Sequence, residues 1–184
     1  MRQTICLLVL SLALSVAASA QEMRQGVYAG DERREIKSLS AEEIEGLLNG
    51  RGMGLARAAE LNHYPGPRHV LELAAELQLT PQQRTQTQAA FERMRGEAVR
   101  LGRQIVERER ALDAMFAKGE INARRLHEAT GRVARLQGDL RAVHLAAHLA
   151  MRRLLSPQQI MKYDELRGYS AGQKTSGQHG HGKH

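Results

Sequence analysis

The chain has 184 residues, of which 42% are hydrophobic, 26% charged and only 3% aromatic, and its 27 Lys and Arg against 20 Asp and Glu give a net charge of +7. With two Phe, four Tyr and no Trp, a β-sandwich or barrel is disfavoured, because strands draw on aromatic and β-branched side chains. The composition instead predicts an all-α protein with an aliphatic core and room for one domain.

Residues 1–20 read as a cleavable secretory signal peptide: Arg2 is followed by the uncharged run Ile5 to Ala17 and by the small residues Ala18, Ser19 and Ala20 before Gln21. The run is short for a membrane span, which needs about 20 residues, so stable membrane insertion is not expected. The only cysteine, Cys6, lies within this segment. Its removal excludes disulfides, thiol catalysis and cysteine zinc sites together. The mature chain keeps a net charge of +6, since only Arg2 is lost. Export, the lack of zinc-finger or RNP-like patterns, and Arg residues alternating with Glu along helices exclude nucleic acid as the expected partner.

Residues 21–39 are charged and aperiodic and predict a flexible leader. Ser40 and Glu43 form a capping box for a short helix with Ile44, Leu47 and Leu48 on its apolar face. The glycines of Asn49 to Gly54 follow no strand and precede no Gly-Lys-Ser/Thr, so they read as a helix stop, not a phosphate loop. A second helix is expected over about Leu55 to Leu61. A third starts at Pro67, after Tyr64-Pro65-Gly66, and runs to about Leu77.

Thr80-Pro81-Gln82-Gln83 has Thr at the N-cap, Pro at the first helical position and Gln at the third. The helix it opens carries Phe91, Met94, Ala98, Leu101, Ile105, Leu112 and Met115 at heptad-like spacing, and spans roughly 50 Å at 1.5 Å per residue. After a turn at Lys118-Gly119-Glu120, Asn122 caps a return helix with a seam from Leu126 to Leu154. The two predict a long antiparallel helical hairpin with short flanking N- and C-terminal helices. Leu155-Ser156-Pro157-Gln158-Gln159 repeats the earlier Leu79-Thr80-Pro81-Gln82-Gln83 and opens a last helix ending near Arg167. Residues 40–169 thus form the helical domain, and the Gly/Ser/His-rich stretch 170–184 is expected to be disordered.

A signal peptide, a helical hairpin and two Leu-Thr/Ser-Pro-Gln-Gln boxes resemble the Spy/CpxP family of LTxxQ-motif proteins, which has the metal-responsive relatives ZraP and CnrX. The motif positions are Leu79, Thr80 and Gln83, and Leu155, Ser156 and Gln159, with Ser156 in place of Thr. The resemblance covers about Pro67 to Tyr169. It implies a periplasmic stress protein, a cradle-like homodimer, that binds unfolded envelope proteins as an ATP-independent chaperone. Its alternative implication is a heavy-metal sensor or buffer of the ZraP/CnrX type. The implied partners are unfolded envelope proteins or a membrane stress sensor.

Chemistry, if any, rests on the eight His residues. His144 and His148 share a helix face at i, i+4, a spacing at which two imidazoles can hold one ion. In an antiparallel pair turning near Gly119, facing residue numbers sum to about 239, which puts His148 near Phe91 and His144 near Arg95. The Pro67 helix, with His69 and Glu72 on one face, is expected to bring a further imidazole or carboxylate to this pair. The tail residues His179, His181 and His184 form a second, weaker metal-binding set. No cofactor is required; Zn, Cu, Ni or Co are the divalent metals such donors suit. His63 and His127 read as structural or solvated. No nucleophile elbow, H-E-x-x-H or nucleotide loop is present, so the expectation is a non-enzyme.

Overall fold

The computed structural model describes residues 26–169. The expected signal peptide, the start of the leader and the tail with His179, His181 and His184 lie outside these residues. Within them the chain forms six α-helices and no strand: α1 (Ala41–Leu48), α2 (Arg57–Glu60), α3 (Pro67–Glu72), α4 (Pro81–Ala117), α5 (Ala123–Leu154) and α6 (Pro157–Arg167). The protein is all-α, built on the long α4/α5 pair. At 1.5 Å per residue α4 is about 55 Å long.

Local chemistry sets the helix starts. Ser40, Thr80 and Ser156 all have extended backbone and accept from the N–H of the residue three further on, while Glu43, Gln83 and Gln159 reach back to the cap N–H at 2.7, 3.1 and 2.9 Å. Each box satisfies two of the four N–H groups a helix start leaves unpaired. The burden on Glu43 is visible electrostatically: the Ser40 backbone N–H, then its hydroxyl, hold the carboxyl below the usual carboxylate range. Between α4 and α5 the chain reverses through Gly119, whose φ of 67° lies in the left-handed region open to glycine at no steric cost. Asn122 Oδ1 accepts from Arg125 N–H at 3.0 Å and starts α5.

The two Leu-Thr/Ser-Pro-Gln-Gln boxes touch. Gln83 Nε2 donates to Gln159 Oε1 at 2.9 Å and to the Leu154 carbonyl at 3.1 Å. Gln159 Nε2 donates to Gln83 Oε1 at 3.0 Å and to the Leu77 carbonyl at 3.1 Å. Each oxygen thus accepts from its own cap and from the partner amide, and each NH2 uses both protons. This reciprocal pair ties the starts of α4 and α6 to the end of α5 and to the segment after α3. Cap chemistry alone foresaw only half of it.

Two apolar clusters hold the helices. One joins Ile36 and Leu47 to Ala98, Leu101, Ile105 and Val106 of α4 and Leu140 of α5. The other gathers Val70 and Leu77 against Met151, Leu155, Ile160 and Tyr163 at the open end of the hairpin. Toward the turn only two helices meet, and Phe116 and Leu126 stay exposed.

The first cluster shows that the end of the segment 21–39, expected as a flexible leader, is part of the packed domain. Glu35 to Ser38 are docked: Ile36 is 0% exposed, Ser38 Oγ donates to Glu109 at 2.9 Å, Lys37 pairs with Asp113 at 3.2 Å and Arg110 with Glu35 at 2.6 Å, while Val27 and Tyr28 stay exposed. One isoleucine in a charged run has no periodicity to betray it, yet it fills the groove between α1 and α4. Gly102, unremarked in the α4 pattern, explains how α1 comes so close: a Cβ there would overlap the Leu47 carbonyl. The helices α2 and α3 are shorter than expected. Past Glu72 the backbone unwinds through turns to Gln78, which has a φ of 50°, so that Leu77 can enter the second cluster.

Candidate functional site

Between the two clusters lies a cleft of about 890 Å³. Its walls are the glycine-rich α1–α2 connection, α2, the start of α3, Phe91, Met94 and Arg95 of α4, His144 and His148 of α5, and Arg167 with Tyr169 at the end of α6. The imidazoles occur alongside Phe91 and Arg95, as the hairpin register predicts. They stand on α5 between the stretch that feeds the first cluster, Leu136 to Val143, and the stretch that feeds the second, Ala150 to Leu154. Both rings are buried, His144 at 3% and His148 at 8% exposure.

The two rings are held differently. His148 Nδ1 lies 2.7 Å from the Tyr64 carbonyl. A carbonyl only accepts, so Nδ1 carries a proton and, in the neutral ring, Nε2 is left as a lone pair. That edge faces Gly66, where a Cβ would stand 2.9 Å from Cε1 and 3.1 Å from Nε2; glycine makes the space. His144 Nε2 is buried with no hydrogen-bond partner, while its Nδ1 edge faces Gly52. Burial, and then the neighbouring His148, push the His144 pKa below the usual imidazole range. His144 is therefore a neutral imidazole at neutral pH, the form that ligates metal.

A carboxylate unforeseen from the sequence closes one end of the cleft. Glu60 Oε1 accepts from Tyr163 Oη at 2.5 Å and Tyr169 Oη at 3.3 Å, with Arg167 Nε at 3.5 Å, and Oε2 lies 3.6 Å from His148 Nδ1. Tyr163 Oη in turn accepts from Gly66 N–H at 3.4 Å. Burial, then the hydrogen bond to Glu60, drive the Tyr163 pKa far upward, so the phenol stays a donor. Glu60 ends a four-residue helix, far in sequence from all of these partners; no spacing rule connects them.

The expected four-residue ligand set does not assemble. His69 reaches the cleft wall, but its Nδ1 is 2.8 Å from Glu72, and Glu72 also accepts from Arg68 at 2.9 Å. These bonds, His69 first, hold the Glu72 carboxyl below the ordinary range. Glu72 is turned along its own helix surface and is no part of the cleft lining. Among the described residues no three His, Cys, Asp or Glu side chains are grouped to hold an ion. His63 is a clamp, its Nδ1 2.7 Å from Asp164 of α6, and His127 is exposed.

A family model described as heavy-metal resistance matches residues 47–162. That span runs from the end of α1 into α6 and holds both motif boxes, the hairpin and the imidazole pair. The chain belongs to the heavy-metal resistance family. The heavy-metal resistance family covers helical proteins of the Spy/CpxP, ZraP and CnrX type, typically extracellular or periplasmic. No curated protein and no solved structure matched the chain. Among the described residues no helix is long and apolar enough to cross a membrane.

Proposed function

We propose that this family member is exported to the periplasm and acts there without catalysis, as an ATP-independent, chaperone-like holder of unfolded envelope proteins, with the cleft as a surface for client segments. The observation that carries this reading is the chemistry of the walls. Five arginines, Arg51, Arg57, Arg68, Arg95 and Arg167, face the cleft against two carboxylates, Glu45 and Glu60. Both carboxylates are engaged, Glu45 by Arg51 at 2.6 Å and Glu60 by the two tyrosines. Phe91, Met94 and the exposed Met53 and Leu61 add apolar surface. Such a mixture supports many weak electrostatic and apolar contacts and no single tight pose, which suits an unfolded chain that must later be released.

The test is suppression of aggregation of a reduced, unfolded client at sub-stoichiometric to equimolar ratios without ATP. Arg57→Ala with Arg95→Ala should weaken the effect, and so should added salt, which screens exposed charges over about 8–10 Å. No suppression across several unrelated clients refutes the reading. A homodimeric cradle belongs to the same proposal, and sedimentation of the mature chain measures it; a membrane stress sensor is the other partner class the proposal admits.

A second reading, metal sensing or buffering, is favoured by one observation: the buried, neutral His144 ring has a nitrogen with no partner, a state that costs about 1–3 kcal/mol unless something satisfies it. His144 and His148 would supply two nitrogen donors to Zn, Cu, Ni or Co, and the ion would supply a local positive charge. Loss of affinity in His144→Ala/His148→Ala is the expected result. Equal affinity removes the internal site.

A further inference from the structure

Gly50, Gly52 and Gly54 carry no phosphate-loop signature, yet each abuts a different wall of the cleft. A Cβ on Gly50 would stand 3.1 Å from the Arg95 carbonyl, one on Gly52 3.8 Å from His144 Nδ1, and one on Gly54 3.4 Å from the Arg57 guanidinium. The connection between α1 and α2 thus lies against α4, α5 and the start of α2 at once. It does so through left-handed backbone, with φ of 64° at Gly50, 41° at Met53 and 80° at Gly54. Among the described residues the N–H groups of Gly52, Met53 and Gly54 donate to no backbone carbonyl. Consecutive free N–H groups in such a turn make a concavity that suits an anion.

Two side-chain observations point to the same place. The His144 ring lines the cleft at 3% exposure with its Nδ1 edge toward Gly52, and its Nε2 has no hydrogen-bond partner. Of the five arginines on the cleft wall, Arg51, Arg68 and Arg167 are paired with Glu45, Glu72 and Glu60, which leaves Arg57 and Arg95 without a carboxylate among the described residues. We infer that the Gly50–Gly54 connection, Arg57, Arg95 and His144 form a binding site for a phosphate group. Such a site needs neither a client nor a metal, and so goes beyond both readings above. Charge and donor count choose the ligand. Two unpaired guanidiniums balance a dianion, and each presents its N–H groups in a fork that matches phosphate oxygens. With three backbone N–H groups and an imidazole N–H beside them, the donors exceed the roughly four lone pairs of a carboxylate; a phosphate group adds further acceptor oxygens. The anion would also give the buried His144 ring the partner it lacks.

Calorimetric titration of the full mature chain with inorganic phosphate tests the site, with a chelator present and with chloride holding the ionic strength constant so that screening does not change. Saturable binding of one phosphate per chain is expected. Arg57→Gln and Arg95→Gln should each weaken it roughly tenfold or more, the scale of one lost charge-assisted bond. Arg68→Gln, on the same wall but paired with Glu72, should change it less than about twofold. His144→Leu, whose folding is checked by its Tm, should weaken it as well. Glycerol phosphate is the second probe: binding as tight as that of inorganic phosphate assigns the source to a monoester, and binding of inorganic phosphate alone assigns it to the free anion. Absence of saturable binding overturns the proposal. So does an equal loss in all three arginine variants, which makes phosphate a diffuse counterion of the basic wall, and so does parental affinity in a folded His144→Leu chain.

Discussion

Gln159→Glu separates a helix cap from a clamp. If the Gln of each motif served only its own capping box, Glu would replace it at no cost, since both residues fill that position and a negative charge near a helix N-terminus is favourable by a few tenths of a kcal/mol. The observed pair predicts the opposite sign. The substituted side chain would keep the bond from Ser156 N–H but lose the two bonds that Gln159 Nε2 donates, to Gln83 Oε1 at 3.0 Å and to the Leu77 carbonyl at 3.1 Å. It would set a carboxylate oxygen against both acceptors. Rotating the Gln83 amide by half a turn relieves one clash but points its NH2 at Thr80 N–H and abandons the Leu154 carbonyl. Two bonds at about 0.5–1.5 kcal/mol each, plus the unpaired acceptors, at a half-buried site where water compensates in part, amount to about 2–3 kcal/mol. The corresponding fall in Tm is about 5–10 °C. The carboxyl is better tolerated protonated, so its folded pKa is raised above the unfolded value of about 4.3. The deficit is then small below that value, grows as pH rises through it, and is complete above the folded pKa. Urea unfolding followed by helical circular dichroism at pH 4 and pH 7 measures both. A Gln159→Glu chain as stable as the parent at pH 7 refutes the clamp, as does strict additivity of Gln83→Ala and Gln159→Ala in a double-mutant cycle.

Ile36→Ala should cost about 2–5 kcal/mol by urea unfolding, the usual range for emptying a fully buried aliphatic site; a change within about 0.5 kcal/mol would mean that the segment before α1 is not part of the core. Gly102→Ala should cost about 1–3 kcal/mol through overpacking, because its Cβ must displace the Leu47 carbonyl, and the loss should appear as faster hydrogen exchange in α1 in preference to α5. His144→Leu removes a buried imidazole without a partner, so in the presence of a chelator it should be no less stable than the parent at pH 7. It should also flatten the acid limb. Because the folded pKa of His144 lies below the unfolded value of about 6.5, the parent loses stability as pH falls through that value; an unchanged slope between pH 7 and pH 5 in the variant would show that His144 does not set it.

Sequence patterns speak for contacts made within one element, and that boundary explains what was legible. The caps at Ser40, Thr80, Asn122 and Ser156, the turn at Gly119 and the hairpin seams all depend on residues three or four apart, or on a register fixed by one turn. Spacing predicts them and the structure has them, except that the return-helix seam is buried only from Ala129 on, with Leu126 exposed. The docked Ile36, the close approach at Gly102, the Gln83–Gln159 exchange and the Glu60 hub join positions tens of residues apart. No periodicity encodes them. The imidazole pair straddles this boundary: its i, i+4 spacing implies a shared face, but that Glu60 and not Glu72 is the carboxylate beside His148 follows only from the fold, which spends Glu72 on Arg68 and His69 of its own helix.

That difference bears on function. A motif repeated at two helix starts would be expected to show equal tolerance at its Thr/Ser and Gln positions if it only capped helices. Here the Gln residues are coupled to each other across α4 and α6, and through the Leu154 and Leu77 carbonyls to α5 and to the segment after α3. Those are the elements that carry the imidazole pair and the chain leading from α3 into α4. Loosening the clamp therefore releases the open end of the hairpin, where Tyr163, His148 and Glu60 meet. A Gln83→Ala chain that stays folded should accordingly show weakened client holding or metal-dependent stabilisation, although neither glutamine lines the cleft. Unchanged function in a measurably destabilised variant would show that the clamp serves stability alone.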